Sequence, residues 1–294
     1  KIMVKSKSEK VFDAANIVLM IVLTVVFVVP ILLIVSASFT SARALTKYGY
    51  SLIIREFSWS SYSYIFLASD IFVRSLFNSV FMTVLATCGM VFTTSLYAYS
   101  LTRKQLKFKK LFSIFVVIPM LFAGGTIPYY LVVNDLHLMN TQWAIIIPFS
   151  VNAWNIFLVR NFFSGIPESL TEAAQLEGAN NMQVLFYVVI PGGFPIIATI
   201  ILYSAVGVWN DWFHASLFLD SSHKNLWPVQ AVVRQLQTDF ESLVGSVGGG
   251  SSLGLNSEGI KSAAIVLSTL PIVLVYPFLQ KFFINGSFAG AVKE

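Results

Sequence analysis

Residues 171–191 read TEAAQLEGANNMQVLFYVVIP. The first half is polar and acidic, with small residues where the flanking segments carry Leu, Ile and Phe; the second half is apolar and closes on Pro191. Local signals predict two short helices separated by a turn. Pro167 suits a first helical position, and Glu168 follows in the first turn, where a carboxylate meets the positive end of the peptide dipoles. Gly178 is suited to end the helix in a left-handed conformation, and Asn180 or Asn181 to cap the next one. The first helix then covers about 11 residues, roughly 16 Å, too little to be stable alone in water. It must dock. Glu168 and Glu172 share a face, while Ala173, Ala174 and Gly178 let another surface approach closely. That surface is either the chain's own helices or a soluble partner.

The remaining sequence says what surrounds this segment. Hydrophobic residues make up 56% of the 294 and charged residues 11%, with a mean hydropathy of +0.76. Soluble domains carry about 25% charged residues, and so few charges cannot cover a soluble fold of this length. The chain is expected to be an all-α integral membrane protein. Its net charge of +5 comes from Lys and Arg in loops that flank apolar spans, which points to membrane topology and not to nucleic acid. The lone cysteine, Cys88, sits in an apolar run and reads as a small packing residue. It excludes a disulfide framework and a cysteine metal site.

Six apolar spans meet the requirement of about 20 residues per crossing, at 14–37, 76–101, 111–133, 143–163, 186–209 and 262–284. The first is longer than a signal-peptide core and reads as a retained helix. With residues 1–13 in the cytoplasm, twelve of the 19 Lys and Arg fall on the inner side, including five between 103 and 110. The other seven lie in two long outer loops, which weigh little in the positive-inside rule. Both termini, including the tail 285–294, are therefore expected in the cytoplasm of a multi-pass protein of the bacterial inner membrane. The transmembrane domain spans 14–284, with an inner loop at 164–185 and an outer loop at 210–261. That inner loop breaks the positive-inside trend: residues 164–191 contain Glu168, Glu172 and Glu177 and no Lys or Arg.

The spacing Glu172-Ala173-Ala174, three residues, Gly178, nine residues, Val188, one residue, Ile190, Pro191 resembles the EAA loop of binding-protein-dependent ABC importers. Val188 and Ile190 replace that pattern's Ile and Leu. The stretches GGTIPYYLVV, NTQWAIIIP, NIFLVRNFFSGIPESLTEAAQLEGA and VWNDWFHASLF extend the likeness. They are similar to the carbohydrate-uptake permeases of the maltose MalG type, in particular the LplC-like group, which is often linked to oligosaccharides and includes a subunit of an alginate-oligosaccharide importer. The resemblance implies a type I ABC importer fold whose coupling helix enters a groove on a cytoplasmic ATPase. Glu168, Glu172, Ala173, Ala174 and Gly178 are then the coupling residues, with Glu172 facing a basic residue of the ATPase and Gly178 allowing the turn. It also implies a heterodimer with a sister permease, two ATPase subunits that bind ATP and Mg, and an extracytoplasmic solute-binding protein.

Sugars are held by hydrogen-bonding side chains together with aromatic rings. Asn152, Trp154 and Asn155 in the fourth span, and Trp209, Asn210, Asp211 and His214 after the fifth, fit that description. They have other readings: Trp209 and Trp212 as interfacial anchors, Asn152 and Asn155 as bridges between helices. In the outer loop, Val232, Val233, Leu236 and Phe240 recur at helical spacing, and a glycine-rich stretch, GSVGGGSSLG, follows. The loop reads as a docking element for the binding protein or as a disordered insertion.

Other function classes fit poorly. An ion-coupled secondary transporter places acids or histidines inside its spans, and these spans contain only Arg160 and Lys281 among ionisable groups. No catalytic constellation is legible around His137, His214 and His223, no metal site is expected, and no phosphate-binding GxxxxGK[ST] loop is present, so ATP hydrolysis belongs to a partner. An importer of the same class for a non-sugar solute remains the nearest alternative.

Overall fold

A computed structural model describes residues 7–67, 70–122, 124–238 and 256–291. Among them the chain is helical, with one isolated antiparallel bridge between Thr40 and Phe57. The helices are α1 (Lys7–Ser38), α2 (Ala42–Tyr48), α3 (Ser60–Leu67), α4 (Asp70–Thr102), α5 (Lys109–Leu121), α6 (Thr126–Asp135), α7 (Trp143–Phe149), α8 (Ala153–Phe163), α9 (Glu168–Leu176), α10 (Asn181–Gly192), α11 (Phe194–Trp209), α12 (Phe213–Phe218), α13 (Val229–Thr238) and α14 (Ser257–Ala291).

Four described helical segments are long and apolar enough to cross a membrane: Ser8–Ser38, Asp70–Thr102, Trp143–Phe163 and Ser257–Pro277. A fifth is added if α10 and α11, bent by 85° at their junction, count as one span. The expected single span over 111–133 is instead two helices, α5 and α6. Gly125 takes a φ of +85° at the start of α6, a region that L side chains avoid, and a continuous helix cannot pass through it. The 143–163 span is also interrupted, between α7 and α8. There Thr93 Oγ1 of α4 donates to the Ser150 carbonyl at 2.5 Å, satisfying a backbone group that the break leaves over.

The chain divides into two compact units. One comprises residues 1–70 and 235–269. In it, Phe39 and Trp59 stack at 5.1 Å and Phe39 meets Tyr62 at 4.9 Å, while Ser38 Oγ and Tyr62 Oη share a 2.8 Å hydrogen bond. Gly259 brings α14 against α3: a Cβ there would lie 2.9 Å from Ser61 Oγ. Tyr50 Oη donates to Glu258 Oε2 at 2.7 Å, fixing the start of α14. The apolar window of α1 has no buried residue, and such a surface requires lipid or another apolar chain around it.

The other unit comprises residues 71–234 and 270–294. Its core gathers Ala98 and Tyr99 of α4, Val159 and Phe163 of α8, Val184, Leu185 and Val189 of α10, and Ile196, Ile197 and Ile200 of α11. Cys88, expected as a packing residue, instead lies exposed. The amphipathic helix expected in the outer loop is α13, in which Val232 and Val233 are buried. Phe240 and the glycine-rich stretch 245–254 lie outside the described residues.

Candidate functional site

The segment at 164–191 has its own hydrogen-bonded frame. Pro167, with φ −55° and ψ 128°, precedes the first helical residue instead of occupying it. The helix therefore starts at Glu168 and runs nine residues, two fewer than the sequence suggests. The reason lies at both ends: the extended ψ of Pro167 delays the start, and Gly178, with φ +90°, stops the chain. The turn is closed by Gly178 N donating to Gln175 O at 3.0 Å and Ala179 N to Ala174 O at 3.0 Å. Asn180 then caps α10 reciprocally with Gln183: Gln183 N donates to Asn180 Oδ1 at 2.9 Å, and Asn180 N to Gln183 Oε1 at 2.8 Å.

One face of α9 rests on its own unit. Thr171 is buried, and Ala174 and Ala179 pack against the core cluster. The other face is open, with Leu170 54% and Leu176 89% exposed beside Glu172, Ala173 and Glu177. The two acids on the shared face differ. Glu168 Oε2 accepts from Lys104 Nζ at 2.7 Å, and this hydrogen bond, with the lysine's charge, holds the Glu168 carboxyl below its ordinary range and raises Lys104. Glu172 has no ion-pair or hydrogen-bond partner among the described residues. Lys104 was not legible as a partner, because 64 residues separate it from Glu168.

Below α10 the chain turns sharply at Gly193, where Phe163 of α8 approaches so closely that a Cβ would lie 3.0 Å from its Cδ1. This packing ties the end of α8, immediately before the acidic loop, to the 85° bend between α10 and α11.

The sugar-path candidates separate into distinct roles. Asn152 Oδ1 accepts from Asn155 N at 3.0 Å, a cap for α8. Asn155 is buried and its Nδ2 lies 3.3 Å from Met90 Sδ of α4, so it bridges two helices. Trp154 is 58% exposed. Trp209 is buried, and Asn210 Nδ2 donates back to Val206 O at 3.0 Å. Asp211 Oδ1 lies 2.8 Å from His214 Nδ1, and the His214 ring is edge-on to Tyr129, Phe149 and Phe213 and stacked on Phe218. Asp211 Oδ2 is buried with no hydrogen-bond partner. Carboxylate, imidazole and aromatic rings thus meet at one place, with Tyr129 and Phe149 supplied by distant segments that sequence spacing does not connect to His214.

Residues 107–288 match the family of binding-protein-dependent transport system inner membrane components, and the chain belongs to it. It is 38% identical to Protein LplC of Bacillus subtilis, over 98% of this chain and 97% of that one. It is 39% identical to the polygalacturonan/rhamnogalacturonan transport system permease protein YtcP of the same organism, over 97% of this chain and 99% of that one. Among solved structures it is similar to a chain in the crystal structure of a bacterial ABC transporter involved in the import of the acidic polysaccharide alginate. That match has a TM-score of 0.87 and 31% identity, covering 95% of this chain and 99% of that one. The chain is an ABC transporter permease of the membrane, and an ion-coupled transporter is set aside.

Proposed function

We propose that this chain is one of two permease subunits of an ATP-driven importer that moves an oligosaccharide into the cytoplasm by alternating access. The observation that carries the coupling role is the open face of α9, where Glu172 stands without an ion-pair partner beside exposed Leu170 and Leu176. An acidic, partly apolar helix face fits a preformed basic cleft. In this reading α9 is the coupling helix of the EAA loop, seated in a cytoplasmic ATPase dimer that binds ATP and Mg. A sister permease completes the membrane part, a solute-binding protein delivers cargo from outside, and six crossings leave both termini in the cytoplasm of the inner membrane. α5 and α6 together supply the third crossing, and the loop at 210–261 docks the binding protein.

The relatives' names support a carbohydrate cargo, one being named for polygalacturonan and rhamnogalacturonan and one solved structure for alginate import. Asp211, His214 and the rings around His214 are the sugar-facing candidates, with Trp154 and Asn210. The experiment replaces Glu172 by Arg and follows oligosaccharide uptake together with co-purification of the ATPase. The expected outcome is a protein that inserts in the membrane at normal levels but neither retains the ATPase nor transports. Full uptake and intact co-purification would remove α9 from the coupling role.

A further inference from the structure

A second site lies beside α9. The end of α4, the loop after it and the segment from Phe163 to Thr171 line a half-open cavity of about 230 Å³, far beyond the ~10–15 Å³ that one water needs. Its lining includes Tyr99, Arg103, Lys104 and Gln105 on one side and Ser164 and Glu168 on the other. The Arg103 guanidinium carbon sits 5.4 Å from the centroid of the Tyr99 ring, which is itself part of the buried core. That contact fixes the planar head over an aromatic face. Its N–H groups have no acceptor among the described residues, and neither has the Gln105 amide. The one carboxylate in the lining, Glu168, is already engaged by Lys104 at 2.7 Å, so the lining itself carries one net positive charge, that of Arg103, while Glu172 outside the lining also acts on Lys104 through its charge. The Ser164 and Thr171 hydroxyls donate to backbone carbonyls, at 2.8 Å each, so the donors facing the cavity are those of Arg103, Lys104 and Gln105.

We propose that this cavity binds a phosphate-bearing anion, with the Arg103 fork and Lys104 as its charged partners and Gln105 as a neutral donor. Arginine matches phosphate geometry bidentately, and lysine adds a point charge. The anion shares Lys104 with Glu168 and therefore sits against the first residue of the helix assigned above to ATPase coupling. Two sources carry this chemistry, the headgroup of an anionic phospholipid at the inner membrane surface and a soluble phosphate.

The test uses the complete importer, comparing wild type with Arg103→Gln and with Ser164→Asp, which sets a carboxylate in the cavity from the opposite wall. Retention of phosphatidylglycerol after extraction from phosphatidylcholine–phosphatidylglycerol vesicles is read by native mass spectrometry. Binding of radiolabelled inorganic phosphate is read by equilibrium dialysis in detergent. Loss of one charge-assisted contact is expected to weaken binding about tenfold. A deficit in phosphatidylglycerol alone assigns the lipid headgroup, and a deficit in phosphate assigns a soluble anion. If the wild type binds neither probe, or if either assembled variant binds both as the wild type does, the site is refuted.

Discussion

Lys104 Nζ and Glu168 Oε2 stand 2.7 Å apart, so the loop after α4 holds the first residue of α9, while Glu172, one helical turn further on, is left open. The two acids looked equivalent in sequence, four residues apart on one face. In the structure Glu168 is hydrogen-bonded within the chain, while Glu172 lies exposed and reaches Lys104 only through its charge. Glu168→Gln is expected to leave ATPase affinity close to wild type. If α9 is the coupling helix as proposed, Glu172→Gln removes one member of a charge pair with the ATPase and should weaken ATPase binding by about 2 kcal/mol or more, roughly thirtyfold. Titration of the purified ATPase against permease in nanodiscs measures both. Equal losses for the two variants would mean that the Lys104 bridge opens on assembly.

The same bridge has a defined pH window. The Glu168 pKa is lowered by Lys104, so its contribution is present above the ordinary carboxylate range and is lost as pH falls through the depressed value. The Lys104 pKa is raised by Glu168, so its contribution is present below the ordinary lysine range and is lost as pH rises through the raised value. Between these limits, hydrogen exchange at the start of α9 should be slower in wild type than in Lys104→Met, and the difference should vanish in acid. Both side chains are largely exposed, at 80% and 57%, so added salt should also shrink the difference. A difference that persists in acid would show that Lys104 orders α9 by packing and not by charge.

What could be read in advance follows from the range of the interactions. The membrane class, four of the six expected crossing helices and the Gly178 turn are set by composition and by neighbours a few residues apart, and these are found. The start of α9 lies one residue later than the sequence predicts, because proline is compatible both with a first helical position and with the extended conformation that Pro167 adopts. The break between α5 and α6 was hidden by hydropathy, which averages over Gly124 and Gly125 without registering the φ of +85°. The surroundings of His214 and the role of Lys104 depend on segments brought together only by the fold, as in the Tyr129–His214 contact at 5.5 Å. For Asn155 the sequence left two readings open, and the Met90 contact favours the bridge.

Gly193 is required by Phe163 and not by its own backbone, since its φ of −97° is open to any residue. A Cβ there would press on a ring that is 4% exposed and fixed in the core. Gly193→Ala should therefore destabilise the permease by about 1–3 kcal/mol through overpacking, read as a lower melting temperature of the purified complex. Phe163→Leu, which shortens the obstructing side chain, should recover part of that loss in the double variant. Strictly additive effects of the two substitutions would mean that the bend between α10 and α11 does not depend on this contact.

Trp154 and Asn155 are adjacent in sequence but face different surroundings, the first 58% exposed and the second 5%. Asn155 donates to a thioether, a weak acceptor, so Asn155→Leu should change stability by no more than about 1 kcal/mol and leave uptake intact. Asn155→Asp buries a carboxylate beside the same sulfur, a weak partner for a charge, and should destabilise the folded permease by about 3 kcal/mol or more. Trp154→Ala should show the opposite pattern, normal protein level with reduced oligosaccharide uptake, because an exposed ring contributes little to packing and much to a sugar surface. Quantifying permease in the membrane beside uptake separates these outcomes. Loss of transport in Asn155→Leu at normal protein level would transfer the sugar-facing role from Trp154 to Asn155 and give the buried amide a functional task beyond joining α8 to α4.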